Sequence, residues 1–278
     1  MAKLSAIQLC SVPDVEKNLS QIDALLAGLE KDPEHIVLLP ECCLFFGGRD
    51  SQQLELAQNS IDSGQNYLVD ALAELAAKHS VYLVAGTIPK LDINGEKFLN
   101  RSYVFSPQGQ ILSHYDKIHL FDVAVQDSEK NYLESKYTQA GQSITAVNLP
   151  FANLGLTVCY DLRFPELYRA LTKQGVDIIT VPAAFTQVTG KAHWQPLLQA
   201  RAIENQCFIL AAGQQGCHAN GRETWGHSMI ITPWGEIKAC LAEGEGSITL
   251  DVDVESINSI RQAMPVNTHN RFKTELIK

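Results

Sequence analysis

The sequence lacks several features that would place it in common classes of protein. No tract of basic residues marks a nucleic-acid or membrane surface, and the net charge is −9 over 278 residues. No apolar run approaches the length of about 18 residues that spans a membrane, and the N-terminus lacks the pattern of a signal peptide. CxxC pairs are absent, and the seven cysteines are an odd number that suits a disulfide framework poorly. We therefore predict a reduced, cytoplasmic protein that binds neither nucleic acid nor membrane.

The chain also lacks low-complexity segments and Pro/Gly/Ser linkers, which predicts a single domain over residues 1–278. Short apolar runs alternate with helical patterns, and the order repeats in the second half. The turns "SPQGQI" and "TPWGEI" resemble each other and occupy matching places in the two halves. We predict an α/β fold of two similar halves that stacks two sheets between two helical layers. The predicted strands include residues 4–10, 35–40, 81–89, 154–159, 176–182 and 207–213, and the predicted helices include residues 14–31, 64–80, 165–175 and 193–206.

Three reactive side chains share one local pattern, because each follows a predicted strand. Glu41 follows "HIVLLP", Lys117 follows the hairpin strand "GQILSHYD", and Cys159 follows "GLTV". Strand ends beside loops are where α/β proteins commonly place their sites. Taken singly, each has a plainer interpretation: a buried apolar cysteine, a surface glutamate and a solvated turn lysine.

A cysteine nucleophile needs help, because a free thiol is mostly protonated at neutral pH. Glu41 could accept its proton, and Lys117 could stabilise either the thiolate or an oxyanion formed when the thiolate adds to a carbonyl. The backbone N–H of Tyr160, directly after the thiol, would be a natural second oxyanion donor. Spacing alone does not show that the three side chains meet.

The blocks "LLPE", "YDKIHLFD" and "GLTVCYDLRFPEL" resemble, in this order, the three catalytic blocks of the nitrilase superfamily. The resemblance extends over nearly the whole chain. It implies a four-layer α-β-β-α sandwich and hydrolysis of non-peptide C–N bonds through a thioester, with no metal or organic cofactor. It assigns Glu41 as general base and acid, Lys117 as oxyanion stabiliser and Cys159 as nucleophile. It further nominates Glu134 in "YLESKY" as a second glutamate and implies at least a homodimer.

Within that superfamily, "FTQVTGKAHWQPLLQARAIENQ" is similar to the segment after the nucleophile in the Nit1-type branch of deaminated glutathione amidases. This resemblance implies a small-molecule substrate, deaminated glutathione, that is hydrolysed to 2-oxoglutarate and cysteinylglycine as a metabolite repair reaction. The alternatives are an ω-amidase for 2-oxoglutaramate, an N-carbamoyl amine hydrolase, or an inactive scaffold protein of the same fold. The chain departs from the branch at Lys191, where proline is common.

A substrate with carboxylates at both ends requires local cations in a protein of net negative charge. We expect substrate contacts from Tyr160, Arg163, Lys191 and His193, with Arg49 a weaker candidate. Cys42 and Cys43 are interpreted as wall or core residues. His114 and His119 flank Lys117, but no familiar ligand spacing is present, so no metal site is predicted.

Overall fold

The computed structural model describes residues 1–62, 65–125 and 131–277. The strands, in chain order, are β1 (Ala2–Gln8), β2 (His35–Leu38), β3 (Ile61–Asp62), β4 (Gln65–Asn66), β5 (Tyr82–Val84), β6 (Ile88–Leu91), β7 (Phe98–Phe105), β8 (Ile111–Asp116), β9 (Asp122–Ala124), β10 (Asn131–Leu133), β11 (Ala146–Asn148), β12 (Asn153–Leu156), β13 (Ile178–Ala183), β14 (Phe208–Gly213), β15 (Gln215–Cys217), β16 (Glu223–Trp225), β17 (Ser228–Ile231), β18 (Ile237–Leu241) and β19 (Gly246–Val252). The first sheet has the strand order β19-β1-β2-β5-β7-β6, with β8 paired to β7, and the second sheet has the order β11-β12-β13-β14-β17-β18.

The helices alternate with these strands in both halves. They are α1 (Val15–Ala27), α2 (Ser51–Asn59), α3 (Tyr67–His79), α4 (Pro165–Thr172), α5 (Gln187–Thr189), α6 (Gln195–Asn205), α7 (Ser256–Ala263) and α8 (Val266–His269). Asp14 caps α1 by accepting a hydrogen bond from the Lys17 amide, and Pro165 occupies the first turn of α4. No helix among the described residues is long and apolar enough to cross a membrane.

The layers follow from strands that are apolar on both faces. In β2, Ile36 and Leu38 face the second sheet, while Val37 and Leu39, just beyond it, face the layer of α1 and α3. Successive side chains of a strand point to opposite faces, so a strand that is apolar throughout must be covered on both sides. The sheets therefore pack on each other, and helices cover their outer faces, which confirms the predicted α/β sandwich.

The two halves repeat the same local topology. Strands β1, β2 and β5 run parallel in the first sheet, and β12, β13 and β14 run parallel in the second. Each group continues into antiparallel strands. The last strand, β19, crosses to the first sheet and pairs antiparallel with β1 over seven residues, so the second half completes the sheet of the first.

Several predicted elements have different bounds in the structure from those that the sequence pattern indicated. The strand predicted to end at Cys159 stops at Leu156, and a 3-10 turn spans Cys159–Arg163. The predicted helix over 193–206 begins with a π-helical turn, Gly190–Trp194, before α6. Of the helix predicted over 64–80, the first residue lies outside the described residues, and the helix itself starts at Tyr67.

Candidate active site

A pocket of about 130 Å³ lies where loops after the strands of both sheets meet, and Glu41, Lys117, Glu134 and Cys159 all line it. These residues are distant in the chain, so only the packing of the two halves brings them together. Its aromatic lining includes Phe45, Phe46, Phe98, Phe121, Tyr132, Tyr137, Tyr160 and Phe185. Such an apolar pocket with a few convergent polar groups is typical of a small-molecule site.

Glu41 reaches the pocket from the loop after β2. Its Oε1 accepts a hydrogen bond of 2.9 Å from Asn100 Nδ2, and its Oε2 accepts one of 3.0 Å from the backbone amide of Ala184. Nearby, Gly86 adopts a φ of +41°, and a Cβ there would lie 1.8 Å from the Pro40 carbonyl oxygen. Only glycine allows this close approach of the segment after β5 to the residue before Glu41.

Lys117 follows β8, and its ammonium group is held between two carboxylates. Its Nζ lies 2.9 Å from Glu41 Oε1, 2.9 Å from Glu134 Oε2 and 3.1 Å from Glu134 Oε1. The backbone of Lys117 is fixed as well, because its amide donates to the Asn100 carbonyl oxygen and its carbonyl accepts from the Gly141 amide. The position of the ammonium is therefore set by both main-chain and side-chain bonds.

Glu134 closes the cluster from the short 3-10 turn Glu134–Lys136. The Phe121 amide donates to its Oε2 at 2.7 Å, and Asn100 Nδ2 lies 3.3 Å from its Oε1. Asn100 thus contacts both glutamates, and the two glutamates lie on either side of the Lys117 ammonium.

Cys159 opens the 3-10 turn and adopts a left-handed backbone conformation, with a φ of +48°. Such a conformation costs energy for a residue other than glycine, and strained backbone of this kind concentrates at functional sites. The residue is 8% exposed, packs against the core between the sheets and lines the pocket. The turn therefore places the thiol where the core meets the cavity.

Asp161, two residues after the thiol, connects the Cys159 turn to the segment that carries Lys117. Its fully buried carboxylate accepts four hydrogen bonds at distances of 2.7–3.1 Å. The donors are the Tyr115 hydroxyl, the Val158 amide and both the amide and Nδ1 of His119. These bonds fix the start of the Cys159 turn against the segment on both sides of Lys117.

The electrostatics of the pocket keep the resting thiol protonated and the lysine charged. Burial, and after it the negative charge of Glu41, raises the pKa of Cys159 well above its ordinary value. Burial alone would lower the pKa of Lys117, but the charges of Glu134 and Glu41 outweigh it, so that pKa is raised. A thiol, an adjacent carboxylate and a fixed cation can together carry out nucleophilic acyl transfer, with the carboxylate as proton acceptor.

Of the four residues expected to bind substrate, the structure places one at the pocket and three away from its lining. Tyr160 lines the pocket. The Arg163 guanidinium lies behind the wall, 5.3 Å from the ring centroid of Phe185 and 3.2 Å from His193 Nδ1. Within the described ranges, the lining does not include Arg163, Lys191 or His193, and the last two are exposed.

Asn100 and Arg222 are among the pocket residues that the sequence analysis missed. Asn100 is a buried residue of β7, but it is followed by the polar residues Arg101 and Ser102, so no break in an apolar pattern marked it in the sequence. Arg222 follows an exposed Asn-Gly turn and carries no motif that would have marked it. The weaker candidate Arg49 does line the pocket.

Cys42 and Cys43 have different surroundings. Cys42 lines the pocket beside Glu41, while Cys43 is fully buried and packs in the core beneath the first sheet. Burial raises the pKa of both thiols, that of Cys43 to about 12. No cluster of His, Cys, Asp and Glu among residues 1–62, 65–125 and 131–277 could hold a metal ion.

A family model described as carbon-nitrogen hydrolase matches residues 3–262 of the chain. Among curated proteins, a deaminated glutathione amidase of Yersinia enterocolitica is 39% identical over 277 residues, which cover 99% of this chain and 95% of the relative. A deaminated glutathione amidase of Synechocystis is 41% identical over 272 residues, covering 96% and 97%.

Solved structures agree with these sequence relatives. The C. elegans NitFhit protein superimposes with a TM-score of 0.90 at 32% identity, covering all of this chain and 68% of that protein. Saccharomyces cerevisiae Nit3, a member of branch 10 of the nitrilase superfamily, superimposes with a TM-score of 0.84 at 31% identity, covering 98% and 97%.

Proposed function

The chain belongs to the carbon-nitrogen hydrolase family, and from that membership we propose that it is a deaminated glutathione amidase that works through a cysteine thioester. The observation that carries the catalytic part is the placement of Lys117 Nζ 2.9 Å from both Glu41 and Glu134, in the pocket that contains Cys159. The proposed substrate rests on the deaminated glutathione amidases that match nearly the whole chain.

In the first step, Glu41 accepts the thiol proton as the sulfur of Cys159 attacks the amide carbonyl carbon. Because the thiol pKa is raised, the thiolate forms together with the attack rather than beforehand. A carbon–sulfur bond forms, and the carbonyl electron pair moves to oxygen. General-base assistance of this kind contributes roughly 10²–10⁴-fold to the rate.

The resulting oxyanion needs positive partners in a site that excludes water. Lys117 supplies a charged donor, and we assign the backbone N–H of Tyr160 as the second donor. Glu41, Glu134 and Asn100 hold the Lys117 cluster before substrate arrives. Donors that are already oriented stabilise the developing charge without reorganisation at the moment of reaction.

Collapse of the tetrahedral intermediate breaks the carbon–nitrogen bond. Glu41 returns its proton to the departing nitrogen, and the amine leaves while the acyl group stays on the sulfur. A water molecule then loses a proton to Glu41 and attacks the thioester. The carbon–sulfur bond breaks, the acid is released, and the thiolate recovers its proton from Glu41.

For deaminated glutathione, the amine that leaves is cysteinylglycine and the acid is 2-oxoglutarate. The test is a substrate panel with the purified protein, followed by mass detection of products. Deaminated glutathione, 2-oxoglutaramate and an N-carbamoyl amine form the panel. Release of cysteinylglycine with the highest kcat/KM supports the proposal. A higher kcat/KM for 2-oxoglutaramate would make the protein an ω-amidase, and no turnover of any panel member would favour the inactive scaffold.

We also propose that the protein is cytoplasmic and forms at least a homodimer. Seven free cysteines fit the reducing conditions of a cytoplasm.

The sequence resemblance implies at least a homodimer, and an exposed apolar surface supports it. Trp234 and Ile203, which expose 64% and 54% of their surface, lie where the 233–235 turn packs beside α6. Light scattering on the purified protein would give its mass in solution, and a monomer would contradict the dimer.

A further inference from the structure

Arg222 lies at the mouth of the pocket with its charge only weakly paired. It begins the return arm of the β15–β16 hairpin, between the exposed residues Gly221 and Glu223, and its side chain is 19% exposed. By comparison, the side chain of Lys117 in the interior is 2% exposed. Arg222 therefore belongs to the outer part of a pocket whose reactive groups lie deeper.

The Arg222 guanidinium is oriented by aromatic rings rather than by a close ion pair. Its central carbon lies 5.2 Å from the ring centroid of Phe46 and 4.9 Å from that of Tyr132. The nearest carboxylate in the part of the chain that the structure describes belongs to Asp50, at 3.7 Å, beyond hydrogen-bond distance. Asp50 is itself 72% exposed, and an ion pair so open to solvent contributes little.

A guanidinium that rests on aromatic faces keeps its row of N–H donors available. That row matches the two oxygens of a carboxylate, which a lysine cannot bind in the same two-point way. Arg49 lines the same pocket and adds a second positive charge, so with Lys117 already paired to two glutamates, two arginines of the described lining face the single carboxylate of Asp50. The chemistry of the mouth therefore fits a substrate carboxylate.

Chain length favours one of the two substrate carboxylates for contact with Arg222. The scissile carbon must sit at Cys159 in the interior. The carboxylate of the 2-oxo acid half is joined to that carbon by a shorter chain than the carboxylate at the glycine end of the departing dipeptide. The more distant carboxylate is the one that extends to the mouth.

We propose that Arg222 binds the terminal carboxylate of the departing cysteinylglycine and so selects the long amide over short ones. This proposal rests on the proposed function, because it needs a substrate with a carboxylated leaving group. It makes Arg222 a specificity-determining residue, while the chemical step stays with the interior residues.

The experiment compares Arg222→Gln with the wild type on deaminated glutathione, on 2-oxoglutaramate, and on deaminated glutathione whose glycine carboxylate has been amidated. A charge-assisted hydrogen bond changes a binding constant by roughly tenfold or more. We expect Arg222→Gln to raise KM for deaminated glutathione by about tenfold with kcat changed by less than about threefold. KM for 2-oxoglutaramate and for the amidated compound should be equal in variant and wild type.

Two further variants separate charge recognition from other effects. Arg271→Gln makes the same chemical change at an exposed position that does not line the pocket, and its kinetics should equal those of the wild type. Asp50→Asn removes the loose partner of Arg222 and should leave KM for deaminated glutathione unchanged or lower. If Asp50→Asn instead reproduced the loss, Arg222 would act by holding the loop, and the proposal would be wrong.

The remaining outcomes are equally distinct. Equal rises of KM on all three compounds, or no rise on any, would overturn the role of Arg222 while cysteinylglycine was still released. If the wild type released no cysteinylglycine at all, the proposed function would fail, and the proposal for Arg222 would fail with it.

Discussion

Glu41 and Lys117 are joined by a 2.9 Å hydrogen bond between side chains that are only 6% and 2% exposed. The Lys117 ammonium also contacts both carboxylate oxygens of Glu134, so it faces two buried or half-buried negative charges. Breaking a buried pair by removing one member is costly because the other charge is left unpaired. Substitutions in this cluster should thus affect both the chemistry and the stability of the fold, and the two effects must be measured separately.

Cys159→Ala should abolish turnover and preserve the fold. The thiol forms the covalent intermediate in the proposed mechanism, and loss of a nucleophile typically lowers kcat by at least about 10⁴-fold. Intact-protein mass spectrometry during wild-type turnover should show the added mass of the acyl group, and peptide mapping after an acid quench should place it on the peptide that contains Cys159. Cys240→Ala, at an exposed cysteine on β18, is the control and should keep wild-type activity. A Cys159→Ala variant with a tenth of the wild-type rate would exclude the thioester route.

Lys117→Ala should lower kcat by on the order of 10²–10³, because it removes an oriented oxyanion donor. Glu41→Gln should lower kcat by roughly 10²–10⁴ through loss of the general base. Circular dichroism and thermal melts establish which fraction of each variant is folded, so that kcat is calculated per folded molecule.

Added divalent metal should rescue neither the Lys117→Ala nor the Glu41→Gln variant, and chelator treatment should leave the wild type active. Activity lost on chelation would contradict a metal-free mechanism.

Glu41→Gln should also lower the pKa of the Cys159 thiol. In the wild type, burial and the charge of Glu41 raise that pKa, whereas Lys117 opposes them. Removing the carboxylate charge leaves burial opposed by the Lys117 ammonium and the Ala184 amide, so the thiolate becomes easier to form. The pH profile of iodoacetamide alkylation at Cys159, followed by peptide mass spectrometry, should shift to lower pH in the variant. A shift to higher pH would contradict this electrostatic assignment.

Asp161→Asn should lower kcat more than it raises KM. An amide cannot accept the four hydrogen bonds that the carboxylate receives, so the Cys159 turn loses its connection to Tyr115 and His119. Small displacements of a reacting group can cost about 10²-fold in rate. Residual activity that retained the wild-type pH profile would fit a positioning role. Full activity in a folded variant would show that the turn holds its own shape.

His218 should make the fold sensitive to acid. Burial lowers the pKa of its imidazole to about 4, from an ordinary value near 6.5, and the ring contacts the Ser11 carbonyl oxygen and the Thr224 hydroxyl. Above about pH 6.5 the ring is neutral in both the folded and the unfolded chain, so the neutral ring makes its full contribution to the free energy of unfolding. As the pH falls toward 4 the unfolded chain takes up a proton first, and about 3 kcal/mol of unfolding free energy is lost. Urea titrations at pH 7 and pH 4.5 should show a smaller difference for His218→Gln than for the wild type. An equal difference would exclude this role.

Much of the local structure could be predicted from periodicity. The alternation of apolar runs and amphipathic patterns correctly indicated α1, α3, α4 and the parallel strands of both halves. Helix α2 was missed, because its apolar positions are few and only Ala57 is buried. The crossing of β19 to the first sheet was also missed, since pairing between strands so far apart in the chain leaves no local pattern.

The sequence by itself determined the reactive residue types, their order and the family to which they belong. Glu41, Lys117 and Cys159 each lie in a short motif at or just beyond the end of a strand, and such motifs are local. Only the tertiary structure decided that these residues and Glu134 share one pocket, that Asn100 contacts both glutamates, and that Arg222 rather than Lys191 faces the cavity. The physical reason is that side-chain direction and long-range proximity depend on how the two sheets pack, which no stretch of sequence specifies on its own.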